Sequence, residues 1–588
     1  MQKATIICLA AHAAPALERL RALGVLHLDP LEPPTGAALE TARTRLRDVT
    51  RALDILPPES PPADAPAPAD SETVLAELLA GLAREAECRE ALHADALEIA
   101  RLEPLGDFDP AAQARLEAHN LFLRLYVVPP KAPLVTPEGA ALSILARRKE
   151  GLYVAVLSRG APAPFTGEPV RWPAESLAAL EARVAQWRAE LTRIDDRRRA
   201  LTAARGQLTA ARAAARPQVE FLEARAGMQA HGALTALQGY LPTEAAPRLQ
   251  AAAAEAGWGL ALDEPGEQEQ PPTLVRNPVW LRPIRSIFLL TGLVPGYREV
   301  DISLPFLIFL SLFFAMLIGD AGYGLLFIGL TAWARHKMPR APAYPFHLLY
   351  LMSGCTVIWG VLTGTYFGIG REALPLPYSH WLQDQSNLMG LCFLIGALHL
   401  TVAHAWNAWR LRASTEALGH LGWIGSTWVM YFVARRFVLN EDLPGWVLGL
   451  LAIALLLIIL FMTPRRRFKA EWFNHAMLPL TVISNFTDVV SYLRLFAVGT
   501  ASFAVANAFN TMLAPMFGSL IGSLAAALLL FLGHALNIAL CGLGILVHGV
   551  RLNTLEFSSH LGMQWTGRPY RPFTAPTESP TIIKPPDA

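Results

Sequence analysis

The sequence predicts a mainly α-helical protein in two parts. The first is a cytoplasmic antiparallel coiled-coil rod with two small α/β lobes. The second is an eight-helix transmembrane domain ending in two long tilted helices. Three observations predict this. Ala, Arg, Glu and Pro dominate up to about Asp301, after which long apolar runs take over. Between 174 and 222, apolar residues recur at heptad spacing. The last two apolar runs, 478–509 and 518–550, are longer than a perpendicular crossing of a roughly 30 Å hydrocarbon core requires.

At 588 residues, the chain is too long for one domain. The net charge of +1 says nothing about nucleic acid, and no basic patch interleaved with aromatics occurs. The cysteines, Cys8, Cys88, Cys355, Cys392 and Cys541, are scattered without CxxC spacing, so neither a disulfide frame nor a zinc site is expected. No GxxxxGK[ST] and no strand-linked GxGxxG occurs, so the chain is not expected to bind ATP. The N-terminus, MQKATIICLAAHAAPALERL, reads as a strand entering a helix rather than a signal peptide, which keeps the first half in the cytoplasm.

Residues 1–300 form the expected cytoplasmic domain, a rod with globular ends that reads as a strut. One lobe near 1–35 joins 229–265, and a second lies near 106–170, where LFLRLYVV and GLYVAVLS read as strands. The outgoing arm, 37–102, is interrupted by the loop PPESPPADAPAPAD. In the returning arm, 174–222, Leu177, Leu180, Val184, Trp187, Leu191 and Ile194 are spaced 3, 4, 3, 4 and 3, as in a coiled-coil seam. An ordinary helical bundle is the alternative.

The transmembrane domain is placed at 301–552, with spans near 303–319, 321–334, 346–369, 387–409, 417–434, 445–463, 478–509 and 518–550. Basic loops follow the second, fourth and sixth spans, at Arg335, Lys337 and Arg340, at Arg410 and Arg412, and at 465–469. An even span count puts all three on the cytoplasmic side. Residues 553–588 read as a cytoplasmic tail, partly disordered.

Arg494 lies in the seventh run, where a buried cation is costly and marks a functional site. Arg551 ends the eighth run. Neither run offers an obvious carboxylate to neutralise both, so the missing acid is expected on another protein. At 100° per residue, Ile483, Thr487, Val490, Arg494, Val498, Ala501 and Val505 share one stripe, flanked by Gly499, Thr500 and Ser502. Small residues there suit close approach by another helix. Asn537, Gly544, His548 and Arg551 fall within about 60° of one another, as in a water-lined path. Asp320 sits in a Gly-flanked turn, where a solvated acid is the plain alternative. His399 and His404, five apart, suit no metal.

These residues resemble a known family. FFAMLIGDAGYG at the first hairpin, SYLRLFAVG around Arg494 and HGVRLNTLEF around Arg551 are similar to subunit I of V/A-type rotary ATPases, the prokaryotic counterpart of subunit a. LGVLHL, GYLP at 239–242, PPTLVRNP at 271–278 and IGALH at 395–399 support the likeness, which covers nearly the whole chain. The resemblance implies a non-catalytic stator subunit that forms ion half-channels, for H+, against a rotating proteolipid ring and anchors peripheral stalks. Arg494 and Arg551 would face the ring, with His548 at a polar-partner position. Asp320, Asp488, Ser491, Ser502, Asn537 and Glu556 are candidate half-channel lining. Asp301 stands in a pre-membrane motif that here reads DIS. Ser502 replaces a eukaryotic histidine, and Asp488 is the nearest match to a channel acid.

The implied partners are the c/L-type proteolipid ring, E/G-type peripheral-stalk subunits, a d/C-type central-stalk adaptor, the catalytic cytoplasmic ATPase sector and the lipid bilayer. No cofactor, metal, catalytic residue or nucleic acid is expected. The implied location is a prokaryotic plasma (inner) membrane, with the N-terminal half and C-terminus cytoplasmic. A secondary transporter would explain intramembrane charge but needs an internal repeat. A membrane-anchored coiled-coil scaffold would explain the rod but not the arginines.

Overall fold

The computed structural model describes residues 1–57, 70–107, 109–130, 132–149, 151–172, 174–369, 378–464 and 468–575. Most of the Pro-rich stretch at 57–70, the basic residues 465–467 and the tail beyond Ala575 lie outside them. The chain divides into two compact units, Gln2–Asp263 with the residues from Pro572, and Met1 with Glu264–Arg571.

The first unit opens with β1 (Gln2–Leu9), α1 (Ala13–Leu23) and β2 (His27–Asp29). Ala4, Ile6 and Cys8 alternate inward along β1, the period of a strand with one buried face. Five helices and a second sheet follow: α2 (Ala37–Ile55), α3 (Ser71–Leu102), α4 (Ala112–Ala118), β3 (Leu121–Val128), β4 (Ala140–Arg147), β5 (Leu152–Arg159), β6 (Glu168–Val170), α5 (Leu177–Ala200) and α6 (Arg205–Ala226). The unit returns to the first sheet through β7 (Gln229–His231), β8 (Leu234–Leu241), α7 (Ala246–Ala256) and β9 (Gly259–Asp263). The first sheet runs β2-β8-β1-β9, with β7 beside β8, and the second runs β4-β5-β3-β6; every pairing is antiparallel.

Helix α2 lies along α6 and α3 along α5. Leu180, Val184 and Leu208 are buried, and Trp187, Leu191 and Ile194 are half-buried, so the heptad positions face partner helices. Leu102 and Leu180 pack with Leu125 of the second sheet, while Phe221 of α6 packs on the core of the first. Asp95 is buried between α3 and α5. Its carboxylate accepts from Arg183 Nε at 2.8 Å and Nη2 at 2.6 Å, and from Trp187 Nε1 at 3.1 Å. Hydrogen bonds from Arg183 hold the Asp95 carboxyl below its ordinary range, against the upward pull of burial.

The second unit contains α8 (Arg285–Thr291), α9 (Ser303–Ile318), α10 (Ala321–Lys337), α11 (Ala343–Thr363), α12 (Gln385–Arg410), α13 (Glu416–Leu439), α14 (Trp446–Phe461), α15 (Phe468–Ala476), α16 (Leu478–Ser491), α17 (Leu493–Leu513), α18 (Leu520–Gly544) and α19 (Ser558–Leu561). Its core is rich in aromatic residues, among them Phe306, Phe313, Phe393, Tyr492 and Phe557. The exposed flanks are apolar as well: Leu520, Ile521, Leu524 and Phe531 of α18 are all more than two-thirds exposed.

All eight apolar runs fold as helix, but they do not support eight full crossings. Among the described residues, four helical stretches are long and apolar enough: Ala343–Thr363, Gln385–Arg410, Leu478–Gly518 and Leu520–Leu561. A fifth arises if α9 and α10 count as one broken span. Those two helices are bent by 119°. At 16 residues each, α9 and α14 fall short of the ~20 that a perpendicular helix needs. The expected tail boundary at 552 falls inside a continuing helix, which runs to Leu561 and buries Asn553, Glu556, Phe557 and Ser558.

Candidate functional site

Three polar groupings lie within the apolar body of the second unit. The central one forms where α17 meets the end of the last long helix. Arg494 Nε donates to the Ser491 carbonyl at 2.9 Å, and Nη2 donates to Glu556 Oε1 at 2.5 Å. Arg551 Nε approaches the same Glu556 oxygen at 3.5 Å. The Glu556 side chain is 4% exposed, Arg494 22% and Arg551 52%. One carboxylate of this chain therefore already stands against both arginines, although the two runs offer no obvious acid in sequence.

The backbone explains why the pattern hid it. In an α-helix, five residues advance about 500°, which would set Arg551 and Glu556 about 140° apart. Beyond α18, however, the chain forms π turns at Ile545–Gly549 and Leu552–Phe557. A π turn closes residue i onto i+5, which carries Glu556 round to the face of Arg551. His548 sits in the first π turn, half-buried, in the field of both arginines.

A second grouping opens beside the first. His420 Nδ1 meets His404 Nδ1 at 3.3 Å, His404 Nε2 meets His560 Nδ1 at 2.8 Å, and His560 Nε2 meets Asp488 Oδ2 at 3.0 Å. These residues, with Asn407 and Ser484, line a cavity of about 700 Å³. His560 lies four residues beyond Glu556, about one helical turn away. In sequence, His404 pairs with no metal-ligand spacing, and nothing singles out His420 or His560. Their separations along the chain, 16 and 156 residues, carry no local signal. Among the described residues, no cluster has metal-binding geometry.

The third grouping lies between α10, α17 and α18. Asn537 Nδ2 donates to the Ser502 carbonyl at 3.0 Å and to Tyr323 Oη at 3.2 Å. The Tyr323 hydroxyl meets His534 Nδ1 at 2.6 Å. Asn537 and Ser502 are both buried, so the expected stripe from Asn537 to Arg551 divides: its first part fills the α17–α18 contact. Asp320 is buried too and is not a solvated turn acid. It caps α10 by accepting from Tyr323 N at 3.1 Å, and also accepts from Phe367 N and Gly368 N, both at 2.8 Å. Three backbone donors satisfy its carboxylate, a positioning role.

The small-residue face of α17 also divides. Gly499 is taken up by α9, because a Cβ there would stand 2.4 Å from the Met316 carbonyl oxygen. Ala497, Ala501, Ala504 and Ala508, at helical spacing, are exposed beside Arg494.

No family model matches the chain. It is 31% identical over 529 residues to "V-type ATP synthase subunit I 1" of Treponema pallidum, covering 82% of this chain and 85% of that protein. It is 33% identical over 383 residues to "V-type ATP synthase subunit I" of Borreliella burgdorferi, covering 60% and 62%. To "A-type ATP synthase subunit I" of Methanocaldococcus jannaschii it is 25% identical over 392 residues, covering 59% and 56%. The chain thus spans less than two thirds of the Borreliella and Methanocaldococcus proteins. A solved structure described as the cytoplasmic N-terminal domain of subunit I, a homologue of subunit a of V-ATPase, aligns with 45% of this chain. Its TM-score of 0.21 and 18% identity carry no argument about the fold. The extent and identity of the Treponema match show that this chain belongs to the family of V-type and A-type ATP synthase I subunits.

Proposed function

We propose that the chain is the fixed membrane subunit of a rotary ATPase, forming the proton half-channels against a rotating proteolipid ring. The observation that carries this reading is the pair Arg494 and Arg551 on one buried carboxylate, with Arg494 beside an exposed face of small residues.

A ring carboxylate moving through lipid must be neutral, because an unpaired charge there is costly. When it meets Arg494, the cation favours its ionised form, and the proton leaves for water. Rotation then exposes the carboxylate to the other half-channel for reloading. Arginine suits this role because it stays charged when partly desolvated. His548, in the field of both arginines, is the third ion-translocation residue on this reading.

The cavity at His404, His420, His560 and Asp488 serves as one half-channel, and Ser491, three residues beyond Asp488, links it to Arg494 through its carbonyl. It opens beside Arg410, in one of the three basic loops that charge bias assigns to the cytoplasm. The group of Tyr323, Ser502, His534 and Asn537, with Asp320 holding its scaffold, borders the other. The first unit, with helices α2 and α3 paired along α6 and α5, acts as a stator that resists torque and holds E/G-type peripheral stalks. The ring, a d/C-type adaptor and the catalytic sector complete the assembly, in a prokaryotic plasma membrane with both ends of the chain cytoplasmic. This subunit itself carries no catalytic step.

Replacing Arg494 with Ala is expected to abolish ATP-driven acidification of vesicles, a drop of 100-fold or more, while ring and stalk subunits still co-purify. Pumping at the normal rate by R494A would overturn the reading.

A further inference from the structure

Glu556 is held unlike the other acids of the second unit. Asp320 spends its carboxylate on backbone amides, and Asp488 meets His560 at the edge of the cavity. Glu556 places Oε1 against both arginines, while its other oxygen, Oε2, is buried with no hydrogen-bond donor among the described residues. A buried acceptor left without a donor is destabilising, so such an arrangement persists where it has another use. Arg494, in turn, has donors to spare: Nε and Nη2 are engaged within the chain, and Nη1 makes no hydrogen bond among the described residues. The guanidinium therefore has an inner partner of its own and remains partly exposed toward the small-residue face.

We propose that Glu556 is the built-in counter-ion of Arg494 and Arg551, against which a ring carboxylate must compete. This rests on the fixed-subunit reading above. Between visits, Glu556 neutralises part of the paired positive charge, so that no bare cation waits in the membrane. When a ring carboxyl arrives during ATP-driven pumping, its proton passes to water of the half-channel bordered by Tyr323 and Asn537, and the new carboxylate shares Arg494 with Glu556. Because Glu556 retains part of the arginine's attraction, the ring carboxylate is held less tightly. It can take up a proton again and move on. The orphaned Oε2 has no hydrogen bond to break as the glutamate shifts and the arginine is shared.

The charged and titratable groups around Glu556 come from several elements. Arg494 belongs to α17, and Arg551 and His548 to the same final helix. Tyr492 precedes α17, in the field of Glu556. From α12 comes His399, stacked on Phe557. The His560–Asp488 pair lies one turn on. Helix α9 packs nearby and carries no ionisable side chain.

The test is ATP-driven acidification by the complete complex in vesicles, measured from about pH 5.5 to 8.5, for wild type, E556D and E556Q. The sign follows from charge. Removing the negative charge of Glu556 strengthens the field of Arg494 on the ring carboxylate and lowers its pKa. Reprotonation then requires more acid, and the alkaline limb of the profile moves to lower pH. E556Q is expected to shift that limb by about one unit, pumping roughly tenfold slower than wild type at pH 7.5 and recovering near pH 6. E556D keeps the charge on a shorter arm and is expected to shift the same way by less. If E556Q fails to assemble with the ring, E556D alone decides the matter through its smaller acid shift. An unmoved limb, or an equal loss at every pH, overturns the counter-ion role. R494A separates the two claims. If it is inert while the order of limbs fails, only the role of Glu556 falls; if it pumps, the fixed-subunit reading falls.

Discussion

Arg494 makes both of its hydrogen bonds within its own chain, one to the Ser491 carbonyl and one to Glu556. A guanidinium buried without an acceptor would be strongly destabilising; here the acceptor lies 62 residues further along. Asp95 in the first unit shows the same logic with the charges exchanged, an acid buried between helices and held by Arg183 and Trp187. Replacing Asp95 with Asn is expected to remove about 1–2 kcal/mol of local stability. Amide hydrogen exchange in α3 and α5 should then accelerate roughly tenfold, with the first sheet unaffected. The pH dependence has a definite sign. Because the folded-state pKa of Asp95 is depressed, its contribution is complete above the unfolded value near pH 4 and is lost as pH falls through the folded value. Exchange in wild type and D95N should therefore converge only in strong acid. Convergence at pH 6 would contradict this account.

Elements were legible in the sequence where periodicity is regular, and illegible where the backbone departs from it. The short apolar stretch before His12 reads as a strand and folds as β1, and the heptads from Leu177 to Ile194 mark the helix that carries them. Arg494 and Arg551 were visible as cations in apolar runs. Their partner was not, because a 100° rotation rule fails across π turns and puts Glu556 on the wrong face. The histidine chain was hidden for another reason: His404, His420 and His560 meet through tertiary packing alone. Close backbone contacts are likewise invisible in one dimension. A Cβ on Gly360 would stand 2.0 Å from Ala321 N, whereas one on Gly354, in the same helix, meets nothing within 4 Å. Replacing Gly360 with Ala is thus expected to destabilise the second unit by about 1–3 kcal/mol. The same change at Gly354 should stabilise it by about 0.4–1 kcal/mol. Thermal unfolding in mild detergent should rank G354A above wild type and wild type above G360A, and the reverse order would show that α10 and α11 can separate freely.

At the scale of the whole chain, topology turns on the helices that are shorter or less apolar than a full crossing. Helix α13 is not among the long apolar stretches, yet it lies between the basic residue Arg412 and the acidic pair Glu441 and Asp442. On the proposed topology, a compartment reporter fused after Arg412 reads as cytoplasmic and one fused after Asp442 as external. Both on one side would remove α13 from the set of crossings and reverse the placement of everything after it. The bend between α9 and α10 bears on how such a chain is made. Asp320 is held by the amides of Phe367 and Gly368, residues 47 and 48 positions later. Thr365 Oγ1 also donates to the Gly319 carbonyl, closing the same corner. A ribosome that has just released α10 has therefore not yet synthesised what secures the turn. The hairpin enters the bilayer with its acid unclamped and is completed only after α11 has emerged. Nascent chains truncated before Thr365 are accordingly the stage at which this subunit most depends on the insertion machinery.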